Sequence, residues 1–360
     1  MLDGTKPRVS IVIPVYNEEA ILRKNILHIC DYLRSLEALY DWEVLLINDG
    51  SKDATARIAN EIAAEIDFLS AIHHPSNFGV GQALRFGFAN TTGEYVISFE
   101  IDLAYDVNHI HELLDAAQPD CAKIVLASPY MKGGTIKNVP FVRRSLSVWG
   151  NRFLRLFANR EYSTLTSMIR LYDGPFIRAL KLRSMGLDIM PEMLYKAMIL
   201  RARVIEIPGR LDWGPQLEEG LSRFSSTRLI RQTISTILSG FIFRPMLFFV
   251  LPGILVGLLA AYIDFKLMAH FFAELSNLKA SGTPDLYSEA FSKAYKEHPD
   301  IFLFGFLATM FATQMVGFGV MSLQNKRYFE DIFSISSIDT HALKIPKNDA
   351  RKKLSERQES

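Results

Sequence analysis

Two long stretches without a charged residue constrain this chain more than any other feature. They cover residues 245–263 (PMLFFVLPGILVGLLAAYI) and 301–323 (IFLFGFLATMFATQMVGFGVMSL) of the 360-residue sequence. As α-helices they would be about 28 and 34 Å long, which matches the roughly 30 Å hydrocarbon core of a bilayer. A buried core helix of this length normally has a polar face, and neither stretch has one. The sequence therefore predicts a transmembrane hairpin, with two buried core helices as the alternative.

The charges around these stretches predict how the hairpin is oriented. Lys326 and Arg327 follow the second stretch, whereas residues 264–300 hold four Lys against six Asp and Glu. Under the positive-inside rule, both flanks are cytoplasmic and 264–300 is an extracytoplasmic loop. No signal peptide opens the sequence, so we expect both termini in the cytoplasm. The arginines that precede the first stretch are Arg223, Arg228, Arg231 and Arg244.

Composition excludes several classes of protein. The formal net charge is +1, which argues against a nucleic-acid binder because such proteins carry a basic excess. Cys30 and Cys121 are the only cysteines, which excludes a disulfide framework and a cysteine-based zinc site. We therefore expect four parts: a cytoplasmic domain over 1–225, a juxtamembrane interfacial helix over 226–244, the hairpin over 245–323 and a cytoplasmic tail over 324–360.

The first part alternates short apolar runs with helical patterns. Alternation at this spacing predicts right-handed βαβ units and an α/β fold with a mostly parallel sheet. Ligands of such sheets bind beyond the carboxyl ends of the strands, so the residues after each strand are the place to look. The predicted strands are 9–15, 43–47, 69–73, 95–99 and 123–127, and the helical stretches lie near 19–39, 53–66, 80–90 and 107–117.

Polar motifs follow each of the first four strands. In chain order they are IPVYNEE (13–19), NDGS (48–51), NFGVGQA (77–83) and EID (100–102). Each alone has an ordinary explanation as a turn or a helix start. Together, and in this order, they resemble the family 2 glycosyltransferases with a GT-A fold, of the membrane-tethered polyprenyl-phosphate type that includes the dolichyl-phosphate mannose synthases. The resemblance extends over about residues 8–325.

The resemblance implies a site for a nucleotide-sugar donor. In the family, residues matching Tyr16 and Glu18 line the nucleoside pocket, and Asp49 matches the aspartate that recognises the base. Asn48 stands where the family often has a second aspartate, which leaves the base open. The implied donor-binding residues are Pro14, Tyr16, Glu18, Asn48, Asp49, Asn77, Gly79, Gln82, Glu100 and Asp102.

A divalent cation is implied at the fourth motif. Glu100 and Asp102 stand for the metal-binding Asp-x-Asp of the family, and two carboxylates on one face of a strand end can hold Mg²⁺ or Mn²⁺. Asp102 matches the more important position. Ala104 stands where close relatives carry a glutamine that helps to bind the metal, so we expect Asp106 or a water to substitute for it.

The acceptor side is expected at the membrane surface. Residues 140–158 predict a basic amphipathic helix that lies in the interface, with a core helix bearing exposed arginines as the alternative. In the dolichyl-phosphate mannose synthases, an arginine and a serine four residues later grip the acceptor phosphate, and Arg143 and Ser147 match that spacing. By the same resemblance we assign Arg170 and Lys132 to the acceptor phosphate.

These features predict inverting transfer of a sugar from a nucleotide-diphosphate sugar to a polyprenyl (undecaprenyl or dolichyl) phosphate at the cytoplasmic membrane face. A phosphate monoester is already anionic near neutral pH, so a strong general base is not obligatory. The predicted catalytic residues are Asp102, Arg143 and Glu192. Of these, Glu192 matches the family's glutamate at the sugar and acceptor side.

Two alternatives stay open. The first is a family 2 transferase that acts on a hydroxyl of a membrane glycolipid or glycan, with Glu192 as its general base. The second is a non-catalytic scaffold that binds a nucleotide sugar. Departures from the family motifs favour the scaffold, and the sequence leaves the sugar, the nucleotide and the oligomeric state (a homo-oligomer included) open. The departures are Asn48, Ala104, Pro129, Thr164 and Met168.

Overall fold

A computed structural model of the chain describes residues 6–117, 122–140, 162–214, 246–281 and 285–342. Its contacts divide the chain into two units, one of residues 1–240 with 332–360 and one of residues 241–331.

A seven-stranded sheet forms the centre of the first unit and confirms the predicted mostly parallel α/β fold. Its strands are β1 (Arg8–Val15), β2 (Asp41–Asn48), β3 (Leu69–His73), β4 (Tyr95–Ser98), β5 (Ile124–Ser128), β7 (Arg170–Asp173) and β8 (Val204–Pro208). From edge to edge their order is β3-β2-β1-β4-β7-β5-β8. The five strands predicted from apolar runs are β1 to β5, so the β-branched runs were a sufficient signal.

The strand β7 was not predicted, and it runs antiparallel to both of its neighbours, β4 and β5. It is four residues long, and only Leu171 and Tyr172 in it are apolar. Since Arg170 and Asp173 occupy the other two positions, the segment has neither the apolar run of a buried parallel strand nor a clear alternation.

Six helices of the first unit lie in the described residues, and they include the four predicted from periodicity. In α1, the side chains of Leu22, Ile26, Ile29 and Leu33 recur on one face and are buried in the core. The helices are α1 (Leu22–Ser35), α2 (Thr55–Glu65), α3 (Val80–Asn90), α4 (His109–Ala117), α5 (Gly174–Ala179) and α6 (Ile189–Ile199).

A second, two-stranded sheet pairs β6 (Thr135–Lys137) with β9 (Arg210–Asp212) in parallel. It contacts the loop after β4, because Tyr105 forms an isolated bridge with Leu211 and Asp212 N–H donates to the Ala104 carbonyl over 2.8 Å. The small sheet therefore holds the segment that follows the predicted metal-binding motif.

The second unit contains two candidate membrane spans. A π-helical turn (Met246–Val250) leads into α7 (Leu251–Ser281), and α8 (Leu286–Glu297) precedes α9 (Pro299–Ala342). The candidate spans are Phe248–Lys279 and Pro299–Phe333, with mean hydropathy 2.1 and 1.8 and 11% of each window buried. Core helices of soluble proteins are mostly buried, so this exposure argues against the alternative of two core helices.

Small residues allow α7 and α9 to approach each other. A methyl group added at Gly253 would lie 3.0 Å from Met315 Cβ, and one at Gly257 would lie 3.7 Å from Ala312 Cβ. The hydroxyl of Thr309 donates to Asp264 Oδ2 over 2.9 Å. Close contact through small residues, with an interhelical hydrogen bond, is typical of helix pairs in membranes.

The predicted loop 264–300 is largely helical. The helix α7 continues to Ser281, and α8 covers twelve further residues. The sequence there is rich in Ala, Leu and Lys, which favour helices, and it has no Gly or Pro before Gly282. The end of the apolar run at residue 263 predicted the end of the first span, but the helix itself continues to Ser281.

Candidate active site

The carboxyl ends of β2, β1 and β4 lie side by side in the sheet, and this order brings three of the polar motifs together. The loop after β1 is joined to the loop after β2 by several hydrogen bonds. Asn17 N–H donates to Ser51 Oγ over 2.9 Å, and Asn17 Oδ1 accepts from Lys52 N–H over 2.9 Å. Asn17 has a φ of 55°, a left-handed conformation that asparagine tolerates better than most residues.

Of the predicted nucleoside residues, Tyr16 and Glu18 lie on this double loop, and Pro14 lies at the end of β1. Pro14, Tyr16 and Glu18 are all half-buried. Glu18 N–H donates to Thr55 Oγ1 over 2.8 Å, which ties the loop after β1 to the start of α2. The structure thus holds the backbone under Tyr16 and Glu18 at defined points and leaves part of both side chains accessible.

Asp49 organises the loop after β3. Its carboxylate is buried and accepts from Phe78 N–H over 3.0 Å and from Gly79 N–H over 2.8 Å, and it lies 2.9 Å from His74 Nδ1. Asn77, which is exposed, donates through Nδ2 to the Asp49 carbonyl over 3.3 Å. The oxygens that were expected to recognise the base have partners within the protein, so Asp49 shapes the loop around the predicted pocket.

Asn48 is a structural residue in this arrangement. It is 3% exposed, its Oδ1 accepts from Ser51 N–H over 3.1 Å, and its Nδ2 lies 3.0 Å from His73 Nδ1. His73 Nε2 lies 2.8 Å from Asn60 Oδ1 and donates to it, so Nδ1 is an acceptor, to which an aspartate would have no donor to offer. The asparagine that departs from the family motif at this position therefore provides the hydrogen-bond donor that the neighbouring His73 needs.

Backbone contacts close the N-terminus of α3. The Met185 carbonyl accepts from Gly81 N–H over 2.8 Å and from Gln82 N–H over 3.3 Å. Gly79 has a φ of 98°, and a Cβ there would lie 2.5 Å from the Met185 oxygen, so only glycine fits. Of the predicted donor residues, Gly79 thus allows the Met185 carbonyl to approach closely, and the N–H of Gln82 donates to that carbonyl. The side chain of Gln82 is half-buried.

Glu100 and Asp102 lie in the loop that follows β4, two and four residues after its end, and both are half-buried. The carbonyl of Ile101 between them accepts from Asn25 Nδ2 over 2.9 Å, and Asn25 is itself buried in α1. Asp102 Oδ1 accepts from Ala104 N–H over 3.1 Å. Buried polar Asn25, on the apolar face of α1, is a signal in the sequence that our prediction of site residues missed.

The two carboxylates fit a divalent cation. The part of the chain that the structure describes has no group of three His, Cys, Asp or Glu that could hold a metal ion. Mg²⁺ is usually bound through one or two carboxylates together with substrate phosphates, so Glu100 and Asp102 suffice for a metal shared with a diphosphate. Asp106 was expected to replace the glutamine that relatives carry at the position of Ala104. Its Oδ1 accepts from Asn108 N–H over 2.8 Å, so this oxygen already has a partner in its own loop.

Tyr105 is a further member of the site that sequence reasoning missed. It is 6% exposed, and burial, followed by the charge of Glu100, raises the pKa of its hydroxyl. Tyr105 is therefore a neutral phenol at physiological pH, close to the predicted metal ligands.

Glu192 is held by the segment that precedes α6. Its oxygens accept from Arg183 N–H over 2.9 Å and Ser184 N–H over 2.8 Å, and Lys196 Nζ lies 2.5 Å from Oε1. Burial alone would raise the pKa of Glu192, but the hydrogen bonds from Lys196 and Ser184 outweigh it and lower the pKa. Since Arg183 N–H, Ser184 N–H and Lys196 engage both oxygens of Glu192, its position does not suit the general-base role that the hydroxyl-acceptor alternative needs.

Arg170 lies in the core, and the structure does not support its predicted contact with the acceptor phosphate. The side chain is fully buried, and its guanidinium donates to the carbonyls of Met190 and Leu165, both over 2.8 Å. Burial lowers the pKa of Arg170. Arg170 therefore connects β7 to α6 and to the segment that begins at Leu165.

The remaining acceptor residues are placed in part. Lys132 is exposed in the turn that follows β5, where a cation can meet an anionic ligand. Arg143 and Ser147, with most of the predicted amphipathic helix, lie outside the described residues.

Comparison with known proteins identifies the domain. Residues 10–177 match the family model "Glycosyl transferase family 2". Glycosyltransferase AglD of Haloferax volcanii is 28% identical over 210 residues, which cover 58% of this chain and 33% of that protein. Dolichol-phosphate mannosyltransferase of Pyrococcus furiosus is 26% identical over 203 residues, 56% of this chain and 55% of that protein.

Polyprenol monophosphomannose synthase of Mycolicibacterium smegmatis is 25% identical over 232 residues, 62% of this chain and 83% of that protein. The first two relatives are longer than the match, and the chain spans about a third and about half of their lengths. The family match begins in β1 and ends in α5, so it contains all four strand-end motifs. This chain carries a glycosyl transferase family 2 domain over residues 10–177.

Proposed function

We propose that this chain transfers a sugar from a nucleotide-diphosphate sugar to a polyprenyl phosphate, with inversion at the anomeric carbon. The observation that carries the proposal is the meeting of the loops after β1, β2 and β4 at one edge of the sheet, with two carboxylates in the third loop. The names of two relatives, a dolichol-phosphate mannosyltransferase and a polyprenol monophosphomannose synthase, support a lipid phosphate as the acceptor.

The donor is assigned to the edge formed by these loops. Tyr16 offers a flat ring to a base, and Glu18 can accept hydrogen bonds from ribose hydroxyls. Asp49 acts through the loop that it organises, since its oxygens already have partners. Glu100 and Asp102 would hold Mg²⁺ or Mn²⁺ beside the diphosphate, and the bound ion would supply neutralisation of charge on the leaving group.

The acceptor is assigned to the side of Lys132, Arg143 and Ser147. A phosphate oxygen attacks the anomeric carbon from the face opposite the diphosphate, and it needs no base of its own because it is already charged. The donors that engage both oxygens of Glu192 support this acceptor over a hydroxyl, which would need a base to remove its proton. Cationic guidance of the lipid phosphate and positioning of the sugar are the main contributions of the chain.

We further propose that α7 and α9 cross the cytoplasmic membrane and that the catalytic unit and both termini lie in the cytoplasm. The exposure of both apolar helices and the arginines before α7 support this topology. A single cysteine at 345 should be protected from an impermeant reagent added outside the cell, and one at 288 should react. Cys30 and Cys121 are replaced by serine in this experiment, and the opposite pattern of labelling would invert the topology.

Incubation of the full chain with radiolabelled nucleotide sugars, Mn²⁺ and a short polyprenyl phosphate tests the function. We expect one sugar to enter an organic-soluble product that mild acid cleaves, as a sugar phosphate ester should be cleaved. Transfer to a glycolipid that lacks a phosphate, with none to the polyprenyl phosphate, would favour the hydroxyl-acceptor alternative. Binding of a nucleotide sugar without any transfer would favour the scaffold.

A further inference from the structure

Asp212, at the end of β9, joins three segments of the first unit. Its backbone N–H donates to the Ala104 carbonyl over 2.8 Å. Its carboxylate Oδ1 accepts from Asn138 Nδ2 over 2.7 Å and from Gly214 N–H over 2.8 Å. One residue therefore contacts the loop after β4, the end of β6 and the segment that leaves β9.

The contact with Ala104 leads directly to the predicted metal ligand. The Ala104 N–H donates to Asp102 Oδ1 over 3.1 Å, while the Ala104 carbonyl accepts from Asp212. The peptide that donates to Asp102 Oδ1 is thus held on its other side by the backbone N–H of Asp212, and the Asp212 carboxylate acts on it through the position of β9. Leu103 between them has a φ of 53°, a conformation that costs a leucine about 1–3 kcal/mol and persists only where contacts on both sides hold it.

The contact with Asn138 leads toward the predicted acceptor segment. Asn138 follows β6 directly and also has a left-handed backbone, with a φ of 56°. Lys137 pairs with Asp212 in the small sheet, and the Lys137 carbonyl accepts from Trp213 N–H over 3.3 Å. The chain continues from Asn138 to Arg143 over five residues.

The Asp212 carboxylate is an ionised acceptor at neutral pH. The N–H of Gly214, followed by the amide of Asn138, lowers the pKa of Asp212. A charged acceptor makes stronger hydrogen bonds than a neutral one, so the carboxylate keeps Asn138 and Gly214 in place more firmly than an uncharged side chain would.

We propose that Asp212 is a positioning residue that orients Asp102 for the metal and ties the metal-binding loop to the start of the acceptor segment. This inference rests on the proposed function, because it takes Asp102 as a metal ligand.

Binding of Mn²⁺ to the purified full chain in the presence of UDP or GDP, measured by electron paramagnetic resonance in detergent micelles, tests the proposal without an activity assay. Asp212→Ala removes both carboxylate contacts and should weaken Mn²⁺ binding by about fivefold. Asp212→Asn retains an oxygen that can accept from Gly214 and should restore most of the affinity. Asn138→Ala should also weaken Mn²⁺ binding. In combination with Asp212→Ala it should add little, because both substitutions remove the same hydrogen bond, the one between Asn138 Nδ2 and Asp212 Oδ1.

Asp173→Ala is the matched control for stability. Asp173 accepts from Phe176 N–H at the start of α5, and it pairs with Tyr95 at the opposite end of β4 from Asp102. We expect Asp173→Ala to lower the melting temperature as Asp212→Ala does, while Mn²⁺ affinity stays at the wild-type value.

The outcomes separate this proposal from the proposed function. Wild-type binding that Asp102→Asn abolishes, together with an unchanged affinity in Asp212→Ala, would overturn the role of Asp212 alone. Equal losses of Mn²⁺ affinity in Asp212→Ala and Asp173→Ala would also overturn it, because the effect would then follow stability. Failure of the wild-type chain to bind Mn²⁺ with either nucleotide present would remove the metal from the proposed function and this inference with it.

Discussion

Replacement of Glu192 by glutamine separates a structural role from the role of a general base. The carboxylate accepts from two backbone N–H groups and pairs with Lys196, whose side chain is 5% exposed. Glu192→Gln removes the negative charge and leaves Lys196 buried beside a neutral amide. Loss of one partner of a buried pair costs about 3–5 kcal/mol. We take about 3 kcal/mol, because the Glu192 side chain is 15% exposed.

The loss should be visible as a lower melting temperature of the first unit. At about 2–4 °C per kcal/mol for a domain of this size, the expected decrease is about 6–12 °C. Tryptophan fluorescence of the full chain in detergent micelles measures it, since all three tryptophans precede the second unit in the sequence. Lys196→Met in the Glu192→Gln background removes the unpaired buried charge and keeps a side-chain oxygen for the backbone N–H groups, so it should recover more than half of the lost stability.

Catalysis gives the opposite test of the same residue. If Glu192 is structural, the folded fraction of Glu192→Gln should transfer sugar at a rate close to the wild-type rate. A stable Glu192→Gln variant whose kcat falls by about a hundredfold or more, with loss of the acidic limb of the pH profile, would show general-base catalysis and refute this reasoning.

Three further predictions concern the walls of the site. Gly79→Ala should destabilise the first unit by about 1–3 kcal/mol, because its φ is positive and a Cβ would meet the Met185 oxygen at 2.5 Å; thermal unfolding beside Val80→Ala measures this. Burial lowers the pKa of His109, whose Nε2 accepts from Arg210 N–H over 3.0 Å. On acidification, the unfolded chain therefore binds a proton at His109 at a higher pH than the folded chain does. The free energy of unfolding should have its full value above about pH 6.5 and decrease as the pH falls toward the folded pKa, and the decrease should be smaller in His109→Gln. Asn25→Leu should weaken Mn²⁺ binding by about three- to tenfold, because it removes the donor to the carbonyl between the two carboxylates; unchanged binding by electron paramagnetic resonance would contradict this.

The sequence was informative where chemistry repeats along the chain. β-Branched runs predicted β1 to β5, and the polar residues after them predicted the edge at which the loops meet. Parallel neighbours place their carboxyl ends together, so the order of motifs along the chain became proximity in space. The short strand β7 was not predictable in this way, because Arg170 and Asp173 interrupt its apolar pattern.

Individual roles were harder to predict because they depend on partners distant in sequence. Asp49 is engaged by residues 25 to 30 positions later, and Arg170 by a carbonyl twenty residues away. Both were expected to contact ligands from the motif alone, and their burial became evident only in three dimensions. Asp212 gave no signal of its own in the sequence, since its importance derives from the peptide of Ala104 that it contacts.

The measurement that tests the central claim most directly is the rate of sugar transfer to a short polyprenyl phosphate as a function of Mn²⁺, in the wild type and in Asp102→Asn. The site at the carboxyl edge of the sheet predicts a rate that rises with Mn²⁺ in the wild type and is lower by about a hundredfold or more in Asp102→Asn. Both proteins should show the same melting temperature in the absence of metal. A rate in Asp102→Asn within about threefold of the wild type, with Mn²⁺ and with chelator alike, would contradict the account.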